Sequence, residues 1–170
     1  MRPHDIVVLL KIVAKGNKAW LNKDLAYELS ISPSEVSESL HRSMIAGLID
    51  PSKKKVFKKS LLEFLQHGLR YVYPVQPGSY TRGILTAHST ALLEKYFASE
   101  EKYVWPSANG QARGLAIEPL HSSVSIVVIS DPVLYDMLAL CDVFRVGRVR
   151  EIKIAVEKLN ELVLGNLYES

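Results

Sequence analysis

The chain of 170 residues lacks features that several protein classes require. Cys141 is its only cysteine, which excludes an internal disulfide and favours a reducing compartment, so we expect a cytoplasmic protein. The most apolar stretch, Val124 to Ile129, is far shorter than the roughly 20 residues of a membrane span, and the N-terminus has no signal-peptide cleavage site. Apolar residues, at 48%, are too plentiful for a disordered chain. We therefore expect a globular protein with no membrane partner.

Positive charge is concentrated in the first half of the chain. Residues 1–82 carry 13 Lys/Arg and 7 Asp/Glu, whereas residues 83–170 carry 8 and 11, so the halves have net charges of +6 and −3. The charge is densest over 53–59, which holds five lysines. This asymmetry indicates an anionic partner for the first half, nucleic acid being the first candidate, with a solvated lysine loop as the alternative.

Two helices are predicted before residue 30. Apolar residues recur at i, i+3, i+4 and i+7 over 5–15, and Gly16 is expected to end this first helix. A short second helix, capped by Asn22, follows. Its inward-facing side chains are predicted to be Leu25, Ala26 and Leu29.

The start of a third helix has three agreeing signals. Ser32 and Glu35 have capping-box spacing, and Pro33 occupies the first helical position, where its missing N–H costs nothing. Gly47 is expected to end the helix. Its buried edge is predicted to consist of Val36, Leu40 and Met44.

A basic β-hairpin is predicted next. Leu48-Ile49 and Val56-Phe57 flank the turn-forming cluster Asp50-Pro51-Ser52-Lys53. A fourth helix is then expected over 60–73. Its apolar face is predicted to contain Leu62, Leu65, Leu69 and Val72.

The second half of the chain has weaker patterns. Only 90–97 has a helical pattern within 74–123, and the β-branched stretch Val124 to Ile129 predicts a buried strand. Asp131 is expected to cap a helix that ends near residue 144, with Pro132 at its first position. The last helix is expected over 148–164. Its apolar seam of two heptads consists of Val149, Ile152, Val156, Leu159 and Val163. A seam of this length fits a dimer interface and an internal core face equally well.

The order helix, helix, turn, helix and basic hairpin is the pattern of a helix-turn-helix unit. The third helix, about 33–46, would turn a polar face outward, where Arg42 could address guanine and Glu38 could accept from cytosine. The hairpin lysines, over about 50–59, would contact phosphates and supply affinity rather than sequence choice. The candidate DNA-binding residues are Ser34, Ser37, Glu38, His41, Arg42, Lys53, Lys54, Lys55 and Lys58.

These residues resemble a known family. The segments Lys23-Asp24-Leu25-Ala26, Leu29-Ser30-Ile31-Ser32, Val36-Ser37, Leu40 and Gly47-Leu48-Ile49 look like the winged helix-turn-helix of bacterial transcriptional regulators of the MarR-like kind. The resemblance covers residues 5–60. It implies that the helix opened by Ser32 is a recognition helix and that the lysine hairpin is its wing. The second half bears a fainter resemblance to antitoxin-type regulators, including abortive-infection antitoxins.

We therefore expect an α+β protein of two domains. A winged helix-turn-helix domain would span residues 1–73, and a mixed, mainly helical domain for dimerisation, or for binding an effector or partner protein, would span 74–170. A homodimer would address half-sites about 34 Å apart on double-stranded DNA.

No catalytic or metal site is predicted, and no cofactor is expected. His67, His88 and His121 lack the spacing of metal ligands. Cys141 lies among apolar residues without a neighbouring base, so it is interpreted as a buried small hydrophobe. Asp142 is interpreted as a solvated helix residue.

The primary functional prediction is a sequence-specific DNA-binding transcriptional regulator, not an enzyme. The alternative is a protein-interaction module of antitoxin type whose second half binds a partner enzyme, which Glu38 and the acidic second half favour. A third hypothesis, an enzyme, would need His88 and His121 within reach of one another in a pocket.

Overall fold

The computed structural model describes residues 1–97, 99 and 101–165. They form an α+β fold in which helices precede and follow a small sheet along the chain. The helices are α1 (Pro3–Lys15), α2 (Asn22–Leu29), α3 (Pro33–Ile45), α4 (Lys58–His67), α5 (Leu69–Val72), α6 (Val124–Val127), α7 (Pro132–Val146) and α8 (Val149–Leu164). The strands are β1 (Tyr80–Leu85), β2 (Tyr103–Pro106) and β3 (Ala112–Ala116).

Helices α1 and α2 bury the faces that the sequence predicts. The apolar stripe of α1 at i, i+3, i+4 and i+7 (Ile6, Leu9, Leu10 and Val13) and the three inward side chains of α2 are all buried. The cap of α2 is Leu21 rather than Asn22, because the carboxylate of Asp24 accepts from the backbone N–H of Leu21 at 2.8 Å. Ser30 ends α2 in the left-handed region, with φ 54°, which makes the turn into α3 tight.

The predicted start of α3 is confirmed. The Ser32 hydroxyl accepts from the backbone N–H of Glu35 at 3.2 Å, and the Glu35 carboxylate accepts from the N–H of Ser32 at 3.3 Å. Val36 and Leu40 are buried and Met44 is half-buried, so α3 packs its apolar edge against α1 and α2.

The hairpin after α3 is also confirmed. Ile49 and Val56 form an antiparallel bridge, and the N–H of Phe57 donates to the carbonyl of Leu48 at 2.9 Å. The fourth predicted helix is interrupted, however. Gly68 separates α4 from α5, and a side chain there would meet the Phe64 ring at 2.9 Å.

The sheet between residues 80 and 116 has no counterpart in the sequence predictions. Strand β1 pairs antiparallel with both β2 and β3, which pair in parallel and close a small three-stranded barrel. Gly83 pairs with Pro106 on one side and Ala112 on the other. A Cβ on Gly83 would overlap the carbonyl oxygen of Trp105, so this close approach requires glycine. The predicted helix over 90–97 is wrong, since only a 3₁₀ turn, Glu94–Tyr96, forms there.

The stretch Val124 to Ile129 is not the predicted strand. It forms the short helix α6, because burial follows a helical spacing: Val124, Val127 and Val128 are buried, whereas Ile126 and Ile129 are 62% and 72% exposed. Tertiary packing overrides the β-branched preference.

Helix α7 is the centre of the core. Asp131 caps it as predicted, accepting from the N–H of Leu134 at 3.0 Å, and α7 contacts α1, α4, α5 and α8. The cluster of buried side chains therefore includes residues on both sides of residue 73. Helix α8 packs on α7 and α4, so its buried face is internal, whereas Val149 of the predicted seam is 86% exposed. Among the described residues, no helix is long and apolar enough to cross a membrane.

Asp142 is buried, not solvated as the sequence suggests. Its carboxylate accepts from the Thr86 hydroxyl at 2.7 Å, the Trp105 indole at 2.7 Å and the Arg145 guanidinium at 3.0 Å. Arg145 donates in turn to the carbonyls of Tyr73 and Glu118. This network ties α7 to the barrel and to the segment that follows α5.

Candidate nucleic-acid interface

Helix α3 presents a polar outer face. Its buried residues, Val36, Ser39, Leu40 and Ser43, lie on the opposite side. The exposed candidate contacts on this face are three uncharged or acidic residues and one histidine. They are Ser34, Ser37, Glu38 and His41, and the Ser34 hydroxyl lies 3.1 Å from that of Ser32. The face therefore offers hydroxyl, carboxylate and imidazole groups to a partner.

Arg42 behaves differently from the rest of this face. Its Nε donates to Oδ2 of Asp5 at 2.9 Å and its Nη2 donates to Oδ1 at 2.8 Å, which is a bidentate pair between α3 and α1. The Asp5 side chain is fully buried, and that of Arg42 is 22% exposed. The guanidinium that the sequence assigns to guanine is thus engaged within the chain.

The ionisation of Asp5 follows from these contacts. Burial opposes ionisation, but hydrogen bonds from Arg42 and the backbone N–H of Arg2 outweigh it and hold the pKa of Asp5 below its ordinary value. The hydrogen bond to Asp5 likewise raises the pKa of Arg42. Both groups are therefore charged at neutral pH.

Asp50 organises the hairpin. Its Oδ1 accepts from the backbone N–H groups of Lys54 and Lys55, each at 2.9 Å, and its Oδ2 accepts from the Ser52 hydroxyl at 2.6 Å. The hydrogen bond from Ser52, followed by those from the two amides, lowers the pKa of Asp50 to about 2. An ionised Asp50 thus fixes the turn that carries the lysines.

The hairpin lysines fall into two groups. Lys54 is held in place, because its Nζ lies 4.0 Å from the centroid of the Trp20 ring and donates to the Trp20 carbonyl at 3.0 Å. The others take no part in ion pairs between described residues. They are Lys53 and Lys58, which are half-buried, and Lys55 and Lys59, which are exposed.

Four of the five lysines border one groove of about 760 Å³ between the hairpin, the end of α1 and the start of α4. Lys58 belongs to the first turn of α4 rather than to the hairpin itself. The lysines on the groove are Lys54, Lys55, Lys58 and Lys59, and Asn17 and Ser60 add polar groups. The groove is therefore positively charged along its border.

Asp5 and Trp20 shape this surface, and neither was found from the sequence. Asp5 and Arg42 are 37 positions apart, and Trp20 and Lys54 are 34 positions apart, so no local spacing links either pair. An aspartate in the first turn of a helix also has a simpler interpretation as a favourable dipole partner. Only packing of α3 on α1, and of the hairpin on the segment before α2, brings these partners together.

The remaining candidate residues lie outside the lysine-bordered groove. His88 contacts the carbonyl of Glu101 and the ring of Tyr103, whereas His121 contacts Ser123 and the ring of His4. Cys141 is buried as predicted, and burial raises the pKa of its thiol. In the part of the chain that the structure describes, no three His, Cys, Asp or Glu side chains are grouped as a metal site would require.

Comparison with known proteins gives no match to this chain among protein-family models, curated proteins or solved structures.

Proposed function

We propose that this chain is a sequence-specific DNA-binding transcriptional regulator. In this proposal residues 1–73 form a winged helix-turn-helix unit, with α3 as the recognition helix and the hairpin as the wing. The observation that carries it is the exposed polar face of α3, which is followed by a hairpin whose lysine ammonium groups form no ion pair with a carboxylate among the described residues. Double-stranded DNA supplies both the base edges and the phosphates that such groups contact.

Base reading falls to the exposed residues of α3. The Glu38 carboxylate would accept from the amino group of cytosine, and His41 and Ser37 would contact neighbouring base edges. The Ser34 hydroxyl, in the first turn, suits a phosphate. The ion pair with Asp5 favours Arg42 as the residue that anchors α3 to α1, in place of the contact to guanine that the sequence alone suggests.

Phosphate contacts fall to the lysines. Lys53, Lys55 and Lys58 carry charges that no described carboxylate neutralises, and Lys54 adds a charge that Trp20 holds in position. Neutralising phosphates releases counterions from DNA, so these residues would supply affinity with a steep dependence on salt.

Residues 74–170 would serve dimerisation, or bind an effector or partner protein. The buried face of α8 is used within the chain, so a homodimer would need another surface. In a homodimer, two α3 helices would address half-sites about 34 Å apart.

The experiment that tests this function is a selection of genomic DNA fragments by the purified chain at physiological salt, followed by binding measurements on the enriched fragments. We expect a palindromic consensus and binding at least 1,000 times tighter, as an order of magnitude, than to random DNA. Recovery of fragments without any shared sequence would contradict the proposal.

A second candidate function is a protein-interaction module of antitoxin type. The observation that favours it is a group of exposed apolar side chains near the junction of α6 and α7: Ile126, Ile129 and Val133. Under this function the chain would co-purify with one partner in a fixed ratio and would shift no DNA fragment. Substitution of Ile126 and Ile129 by serine would then release the partner.

A further inference from the structure

Two histidines lie side by side next to the ion pair that anchors α3. His4 is in the first turn of α1 and His121 precedes α6, and their ring centroids are 5.3 Å apart with an interplanar angle of 56°. His4 Nε2 is 3.3 Å from Nη2 of Arg42 and 3.8 Å from Oδ1 of Asp5. The His4 side chain is only 14% exposed.

The hydrogen bonds fix the protonation of both rings. A guanidinium can only donate, so Nε2 of His4 accepts from Arg42 and carries no proton. A backbone N–H can likewise only donate, so Nδ1 of His121 accepts from the N–H of Ser123 at 3.2 Å. Both rings are therefore neutral in this arrangement, and they hold opposite tautomers: Nδ1–H for His4 and Nε2–H for His121.

A second proton on the His4 ring conflicts with this packing. On His4 it would replace an accepted hydrogen bond with a cation 3.3 Å from the guanidinium, and it would compete with Arg42 for Asp5. The charged and titratable groups that face His4 are Asp5 on its own helix, Glu35 and Arg42 on α3, and His121. Glu38 and Tyr73 face the adjoining Arg42.

Among these groups only Asp5 is a buried carboxylate, and Arg42 and the N–H of Arg2 already occupy it. Burial lowers the pKa of His4 below its ordinary value, and His121 and Arg42 lower it further while Asp5 and Glu35 oppose them. The unfolded chain thus takes up the proton at a higher pH than the folded chain does. The stability that neutral His4 contributes is therefore complete above about pH 6.5 and is lost as the pH falls below it.

We propose that His4, packed against the ring of His121, is a proton sensor that releases α3 from α1 under acidic conditions. The consequence for DNA rests on the proposed function: a recognition helix that loses its anchor binds its site less tightly. Added positive charge by itself would strengthen binding to DNA, so a loss of affinity on acidification is the opposite of the bulk charge effect.

The test uses the full chain and begins without any substitution. Imidazole ¹⁵N chemical shifts at pH 7.5 should report neutral rings with the two opposite tautomers, and backbone amide hydrogen exchange of α3 should accelerate between pH 7.5 and 5.5 once corrected for intrinsic rates. Affinity for the best selected fragment, at constant ionic strength, should fall about tenfold over the same range.

The variants then assign the effect. The double variant His4→Gln with His121→Gln keeps hydrogen-bond acceptors at both positions but has no imidazole to protonate. On acidification, its α3 amide hydrogen exchange should not accelerate and its affinity for DNA should not fall. His67→Gln, which removes an exposed histidine of α4, should retain both acid responses. The same acid response in the double variant as in the unsubstituted chain would overturn the proposal, as would charged rings at pH 7.5. Acid-induced exchange in a chain that binds no DNA at any pH would support the sensor and contradict the proposed function.

Discussion

The carboxylate of Asp5 and the guanidinium of Arg42 join the first turn of α1 to the last turn of α3 through two hydrogen bonds, at 2.8 and 2.9 Å. Removing one partner would leave the other charged and largely buried, because the Asp5 side chain has no exposed surface. The pair therefore fixes the position of α3 whatever ligand its outer face binds.

The first prediction concerns this pair. Arg42→Ala should lower the free energy of unfolding by about 3 kcal/mol, because it leaves the buried Asp5 carboxylate without its charged partner. Arg42→Lys should cost less but should not restore full stability, because an ammonium cannot reproduce the bidentate geometry. Urea unfolding measures both values. A fully stable Arg42→Ala variant with altered base preference would instead assign Arg42 to DNA.

The second prediction concerns the lysines. Lys55→Ala with Lys58→Ala should weaken binding to selected and random DNA alike, and should reduce the slope of log K against log salt by about 0.9 for each phosphate that the protein no longer neutralises. The measurement is fluorescence anisotropy at several salt concentrations.

Its matched control is Arg150→Ala with Lys153→Ala, which removes the same charge from exposed positions of α8. This control should leave the slope unchanged. Equal losses of affinity in the two double variants would mean that net charge, and not the hairpin surface, governs binding.

The third prediction concerns base choice. Glu38→Gln should change the preferred base at one position of each half-site, because an amide both donates and accepts where a carboxylate only accepts. Repeating the fragment selection with the variant reads this directly, and a discrimination of about 1–3 kcal/mol at that position is expected. Glu63→Gln, at an exposed position of α4, should leave the consensus intact. An unchanged consensus in the Glu38 variant would remove this residue from the interface.

The fourth prediction concerns the barrel. Gly83→Ala should lower the free energy of unfolding by about 3 kcal/mol or more, because the new methyl group would overlap the Trp105 carbonyl. Gly78→Ala is the control, since its methyl group would meet Ala116 at an ordinary 3.7 Å. Thermal or urea unfolding compares the two. Equal stability of both variants would show that the strands do not approach as closely as described.

The sequence predicts the first 57 residues well because their signals are local. The cap formed by Ser32 and Glu35, with Pro33 beside it, specifies the start of α3 within a few residues, and the hairpin turn is specified by four adjacent residues. The outward face of α3 follows from helical periodicity alone.

The second half is different because its structure depends on distant partners. Gly83 pairs with Pro106 and Ala112, residues that disfavour strands locally, so no run of β-formers marks the barrel. Asp142 has the local pattern of a solvated residue, and only Thr86 and Trp105, 56 and 37 positions away, make its burial possible. The same reasoning explains why the sequence indicates an outward-facing Arg42, because its partner lies on another helix.

Arg145 has a further consequence through its hydrogen bonds to the carbonyls of Tyr73 and Glu118. The segment after α5 is held at its first residue, Tyr73, and so cannot act as a flexible linker between the proposed DNA-binding unit and the proposed dimerisation unit. In a dimer built on the second half, rigid protein would therefore fix the distance between the two α3 helices. Inserting one or two base pairs between the half-sites should then abolish binding rather than merely weaken it.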